Sequence, residues 1–430
     1  MFDKKSRKKV KDVKGEQNAL PILNENNIED EFIIKDLGVN KEQIKNNKIL
    51  GNANKINLKL VTIIALISLL IATAVFTIRF INFDVTEMIW KTNVAKGSDR
   101  VNNKSIKYCL FENGLMRISN DGVTYISDSG EIKWTISYNM KDPIYDCRGK
   151  YFAIADRNGN EFCIFDKNGE TGNNLSTNEI KQISLSSDGV LYILQNDENS
   201  SYINLYRRNG NSIDIAIKST LTGDGMPIDI STSDDGLGLS VVYVCLDNND
   251  VYTKATYYNF DEVGKLSNSK RIVGEFVEEF KDRFLARCHY FDSKNSCLIF
   301  DGGVYFVSTS NPAKPRITVR HEFSDRIKSV SYNEKYLAFV FENNKLMIID
   351  KKGNILAENS INSEYENFYL SDNYVVFIYE NKVKIFDDRG RVIFDKEMAV
   401  NVQYIAKKKS IIFSEFLLGS IDSVECIRFY

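Results

Sequence analysis

A recurring strand–turn–strand unit closed by Asp-x-x-Gly constrains this chain more than any other feature. It reads YFAIADRNGNEFCIFDKNGE from Tyr151, YLAFVFENNKLMIIDKKGNIL from Tyr336 and YVVFIYENKVKIFDDRGRVIF from Tyr374. Each copy has an apolar strand, a turn of Asn, Asp or Gly, and a second strand of alternating residues. The Asp side chain can hydrogen-bond the turn backbone, and the Gly takes the positive φ that the turn demands. Looser copies begin at Val123, Tyr202 and Val251, and units around Cys297 and Ser410 complete the set.

The units start near Ile106, Ile144, Ile180, Ile228, Phe284, Ile327, Phe368 and Val402. Such spacing, about 40–45 residues, is that of a four-stranded propeller blade. One twisted sheet of four strands cannot bury both its faces, whereas a ring of them can. The expected fold is therefore all-β, an eight-bladed β-propeller over residues 84–430, with seven blades as the alternative. The last copy runs out after about three strands, so a segment around Val85 to Val94 is expected to supply the missing one and close the ring. The stretch from Asn259 to Arg283 is longer than its counterparts, and its VGEFVEEFKDRF fits an outer strand or a short helix equally well.

Ahead of the repeats lies LVTIIALISLLIATAVFTI, from Leu60 to Ile78, which holds no charged residue. Its length approaches the roughly 30 Å of a bilayer's hydrocarbon core at about 1.5 Å per residue. Residues 58–81 are therefore expected to form a transmembrane signal-anchor helix, with Leu60, Ile64, Leu66, Leu70, Val75 and Ile78 on lipid. Lys55, Lys59 and the basic run from Lys4 to Lys14 place the N-terminus in the cytoplasm and the C-terminal part outside. A cleaved signal peptide ending at Ala72-Thr73-Ala74 is the competing reading, but the preceding tail is long and the apolar run continues to Ile78.

Residues 1–57 read as a cytoplasmic, mostly disordered tail. Within it, IEDEFIIKDLG spaces Ile28, Phe32, Ile33 and Leu37 at near-helical intervals, with Asn27 as N-cap and Gly38 as stop. So short a helix is marginal alone, so this stripe is a candidate docking segment for a cytoplasmic partner.

The 7 cysteines include no CxxC pair, and most sit inside apolar strands, where they read as buried free thiols; one disulfide stays open as an alternative. A net charge of −2 gives no general attraction to nucleic acid. With 22 Tyr and 26 Phe, aromatic residues are expected to fill the interfaces between blades and to supply recognition surface at loop faces.

The segments IFDKNGE at Ile164, IIDKKGN at Ile348, IFDDRGR at Ile385 and YISDSGEIKW at Tyr125 resemble degenerate copies of the quinoprotein-like (PQQ) repeat. That repeat ends in a docking Trp. This chain has 2 Trp, Trp90 and Trp134, so no repeated Trp-docking contact is expected, and the adjacent-cysteine pair of the quinone-binding dehydrogenases is missing. The layout of tail, anchor and outer propeller also resembles an uncharacterised family of single-pass membrane proteins of Gram-positive bacteria. This likeness implies a cell-membrane location with the propeller extracytoplasmic; it brings no activity and no site residues.

Catalytic signatures are sparse. His289 and His321 are the 2 histidines, and the chain carries neither a GxSxG elbow nor a GxxxxGK[ST] loop. His289 reads as a packed strand residue rather than a base. DRNGNE at Asp156 and DKNGE at Asp166 read as hairpin turns rather than calcium loops. Ser127 to Gly130 matches only part of a sialidase Asp-box. No catalytic, cofactor-binding or metal residue is singled out and no cofactor is expected. The expected function is a non-enzymatic binding or scaffold protein of the cell envelope that recognises a protein or cell-wall component. The alternative is an envelope glycan hydrolase or lyase using a carboxylate pair in the propeller funnel. A transmembrane sensor is the lesser alternative.

Overall fold

The structure, a computed structural model, describes residues 58–80, 86–94, 106–247, 250–267, 270–362, 364–380, 382–398, 401–408 and 414–429. The chain divides into two units, Met1–Ile81 and Asn82–Tyr430. The candidate docking residues Ile28, Phe32, Ile33 and Leu37 lie outside the described residues.

In the first unit a helix runs from Leu58–Phe80. No helix among the described residues is long and apolar enough to cross a membrane, which corrects the expectation of a transmembrane anchor. The helix is 23 residues long, and its side chains are described over 61–74. Ile64, Leu66 and Leu70 are exposed within that run. Leu60, Val75 and Ile78 lie on the helix backbone at either side of it.

The second unit is an all-β propeller of eight four-stranded antiparallel sheets. The innermost strands of blades 1 to 8 are Lys107–Phe111, Pro143–Arg148, Glu179–Leu185, Met226–Thr232, Leu285–Tyr290, Ile327–Tyr332, Asn367–Ser371 and Val402–Lys407. Blades 1 to 7 each use four consecutive strands. Blade 8 takes three from the C-terminus and its outer strand from Thr86–Asn93, which pairs antiparallel with Ser423–Phe429. First and last parts of the propeller chain thus share one sheet, and the ring closes without a free edge there. The VGEFVEEFKDRF stretch holds both expected elements, an outer strand Ile272–Phe276 and a 3-10 turn Glu278–Phe280.

Middle strands such as Gly114–Ser119 and Tyr336–Phe341 are buried on both faces, outer strands such as Arg316–Glu322 alternate, and the apolar clusters span neighbouring blades. Between blades 1 and 2, for example, Phe111, Met116 and Tyr125 meet Phe152, Ile154 and Phe165. Tyr192, Tyr243, Tyr257 and Tyr305 are fully buried, and their hydroxyls find partners, as where Tyr243 meets Tyr258 at 2.9 Å. All 7 cysteines are free thiols, in line with the sequence.

The Asp-x-x-Gly turns hold blades together as well as closing hairpins. In blade 7, Asp387 Oδ1 accepts the amides of Arg389 at 3.0 Å and Arg391 at 2.9 Å. The turn carbonyls then accept donors from the outer strand of the preceding blade. Trp90 Nε1 donates to Asp128 O at 3.2 Å and Trp134 Nε1 to Lys167 O at 3.1 Å. Elsewhere the donor is Thr171 to Arg208 O, His321 to Gly353 O or Asn359 to Gly390 O. The expectation that two tryptophans leave no repeated docking contact is therefore corrected. The slot needs an N–H or O–H above the next turn, and Thr, His and Asn supply it as Trp does.

Candidate functional site

Each innermost strand turns one edge toward the ring axis, and the amides and carbonyls on that edge need partners. Side chains of the adjoining inner strand supply them. Asp146 Oδ2 accepts Leu185 N at 2.7 Å between blades 2 and 3, and Ser184 Oγ accepts Thr232 N at 3.0 Å between blades 3 and 4. Asp229 Oδ2 accepts Cys288 N, and Ser231 Oγ accepts Tyr290 N, each at 2.8 Å. Ser331, Tyr369 and Tyr404 do the same for Leu370, Ile405 and Leu110. Two junctions are closed through carbonyls instead: Tyr145 Oη donates to Tyr108 O at 3.3 Å, and His289 Nε2 lies 3.0 Å from Asn333 O.

Inside this ring is a central cavity of about 1310 Å³. One part of its wall is aromatic, with Tyr369 and Tyr404 stacked at 4.8 Å and Tyr404 and Tyr108 at 6.5 Å. Another part is polar. Gln182 and Arg287 line it, and behind them Asp229, 1% exposed, accepts Gln182 Nε2 at 2.8 Å and Arg287 Nη1 at 2.9 Å on one oxygen. Burial raises its carboxyl pKa against the opposing pull of Arg287. Asp146 is likewise raised by burial, with the amides of Leu185 and Cys147 and the charge of Arg148 pulling the other way. Both carboxylates are occupied in holding main chain, the task that their geometry explains.

Arg148 spans the channel wall. It is 6% exposed and ion-paired to Asp234 at 2.6 Å. Its Nη1 donates to Thr232 O and its Nη2 to Tyr290 O, both at 2.6 Å. One side chain thereby ties blade 2 to blades 4 and 5.

His289 stands on the cavity wall with its ring 4.3 Å from Tyr332 and edge-on to Phe291 at 5.0 Å. Burial pushes its pKa down to about 3, and the charge of Arg148 adds to the effect. The neutral ring donates from Nε2, because a carbonyl can only accept. It is packed, as the sequence suggested, and also half open to the channel. The turns at Asp156 and Asp166 are hairpin turns: Asp166 Oδ1 accepts Asn168 N at 2.7 Å, and Asp156 Oδ1 accepts Asp142 N at 2.9 Å. Among the described residues no group of three or more His, Cys, Asp or Glu is placed to hold a metal ion.

A second feature lies at the rim of the channel, at the end where the inner strands begin. The hairpin of blade 4, Gly238–Asp247 and Asp250–Asn259, has the longest strands of the propeller at 10 residues each. Met226 pairs with Val244, and Leu246 with Val251, so these side chains share one face of the sheet. Lower on that face Val242 and Ala255 pack against blade 5, but the hairpin outruns its neighbour. Its tip leaves Met226 42%, Leu246 48% and Val251 65% exposed, beside Phe284 at 50%. Nothing in the sequence reading selected these residues. The available signal was an apolar strand pair that continues past the length of the other units.

The family of unknown function DUF5711 matches residues 86–429. The chain belongs to that family. No curated protein sequence matches it. Among solved structures, Sqt1 of Saccharomyces cerevisiae is similar at 11% identity and a TM-score of 0.51, over 78% of this chain and 98% of that one. BamB from Moraxella catarrhalis is similar at 12% identity and a TM-score of 0.49, over 80% of this chain and 100% of that one. Kluyveromyces lactis Hsv2 has 10% identity and a TM-score of 0.46, over 68% and 99%. At these identities the likeness concerns the fold.

Proposed function

We propose that this DUF5711 propeller is a binding or scaffold protein that engages a protein partner through the blade 4 rim. The observation that carries the reading is the exposed apolar face of Met226, Leu246, Val251 and Phe284, held on a rigid hairpin beside the channel mouth. Contiguous exposed apolar residues with a charged surround are the mark of a protein interface. The charges near Phe284 are of both signs and already paired, in Lys281–Glu278 and Arg283–Glu322, each at 2.7 Å. That balance suits a polypeptide surface rather than a polyanion.

The test is affinity capture with the full chain and with the double variant Leu246→Asp/Val251→Asp. Because both residues lie at the exposed hairpin tip, the variant should unfold at the same temperature as the parent. Loss of a partner that the parent captures supports the reading. Equal capture by parent and variant contradicts it.

A further inference from the structure

The junction between blades 1 and 2 carries a feature that ring closure does not require. Cys109 on the inner strand of blade 1 and Cys147 on that of blade 2 both line the central cavity. The two side chains pack in one cluster between blades 1 and 2, and Cys147 Sγ lies 3.5 Å from the carbonyl oxygen of Leu110, the neighbour of Cys109. Both are free thiols, Cys147 half-buried and Cys109 8% exposed. This junction is one of the two closed through carbonyls: Tyr145 reaches Tyr108 O here, whereas Asp146 clamps the amide of Leu185 at the next.

The remaining cysteines are placed differently. Cys163, Cys297 and Cys426 are buried within the blade cores, and Cys245 is 5% exposed beneath the blade 4 hairpin. Cys288 reaches the cavity wall but turns its sulfur to Ser240 O at 3.4 Å and Asp229 O at 3.8 Å. Cys109 and Cys147 are the two that share both the cavity wall and one packing cluster on adjoining inner strands.

We propose that Cys109 and Cys147 form a dithiol site for exchange with low-molecular-weight disulfides that enter the channel, and that its oxidised form is a covalent clasp between blades 1 and 2. The more exposed Cys147 attacks one sulfur of the small disulfide, which releases one thiol and leaves a mixed disulfide on Cys147. Cys109 then attacks Cys147 Sγ, and the second small thiol departs. Two thiols of the protein are oxidised by two electrons, one external disulfide is reduced to two thiols, and both protons leave on those products. The cavity of about 1310 Å³ is roomy enough for a peptide-sized disulfide. Cys147 stays protonated near neutral pH, because the contact with Cys109 and burial both raise its pKa, so the exchange is slow.

The experiment incubates the reduced, folded full chain with oxidised glutathione and maps its peptides without reduction. The expected product is a peptide pair joined through Cys109 and Cys147, lighter by two hydrogens, with Cys163, Cys288, Cys297 and Cys426 alkylated only after denaturant is added. Cys109→Ser should stop the reaction at a glutathione adduct on Cys147, a readout that needs no ring closure. The linked form should exchange amide hydrogens more slowly along Lys107–Phe111 and Pro143–Arg148. Separate adducts on both cysteines of the parent, or both thiols left reduced while the denatured chain oxidises, would overturn the proposal.

Discussion

Arg148 on blade 2 donates to the main-chain oxygen of Tyr290 on blade 5 at 2.6 Å, passing blade 3 on the way. The same guanidinium holds Thr232 O and the Asp234 carboxylate of blade 4. Propeller blades ordinarily touch only their neighbours, so this residue gives blades 2 to 5 a cohesion that nearest-neighbour packing alone does not.

Arg148→Met should therefore be costly. It keeps much of the stem but leaves Asp234 uncompensated and two carbonyls without a donor. Breaking a fully buried pair from one side costs about 3–5 kcal/mol, and because Asp234 is 35% exposed the loss here should sit near about 3 kcal/mol. Urea unfolding should show a loss of this size, whereas Arg157→Met, which removes an exposed pair with Asp142, should cost less than about 1 kcal/mol.

The docking slot gives a second expectation. Trp134 stacks on Phe165 at 5.4 Å and bonds Lys167 O. Trp134→Ala should lose about 2–3 kcal/mol, less than a fully buried Trp because its ring is partly exposed. Trp134→His should recover part of it, since His321 fills the same slot over Gly353. Chemical denaturation of the three proteins checks the order.

Gly353 has φ +89, and a Cβ there would press on Val319 of the preceding blade. Gly353→Ala should destabilise by more than about 1 kcal/mol through strain and contact together. Gly302, whose Cβ would meet only Phe300 at 3.5 Å, should tolerate alanine with a smaller loss in the same assay.

His289 sets an acid limit. Its folded pKa lies below its unfolded value, so between pH 6.5 and about 3 the unfolded chain binds a proton that the folded chain does not. Its contribution is complete above pH 6.5 and is lost as pH falls, at up to about 1.4 kcal/mol per pH unit. His289→Gln keeps a donor for Asn333 O and removes the titration. Urea midpoints measured from pH 7.5 to 5 should fall less steeply in this variant than in the parent.

Much of the ring was legible in the sequence because each blade is a local object. Ile144, Ile180, Phe368 and Val402 fall inside inner strands, and Phe284 lies one residue before one. The strand that closes blade 8 could be placed because the last repeat was incomplete. The channel was not legible. Asp146 and Leu185, or Ser184 and Thr232, are about a blade apart in sequence, and only the pitch of the ring brings them together. Nor did alternation reveal the rim: Leu246 and Val251 continue an apolar face like any buried pair, and they are exposed because the hairpin outruns blade 5. The tryptophan count misled, since the slot depends on a donor and not on an indole.

The most direct test of the partner-binding account is in-cell photo-crosslinking from a reactive residue placed at Val251, beside the same probe at exposed Leu175 on the outer strand of blade 2. The account predicts a discrete protein adduct at Val251 that Leu175 does not yield and that the Leu246→Asp substitution abolishes. The same adducts at both positions, or an adduct at Val251 that persists in the Leu246→Asp background, would contradict it.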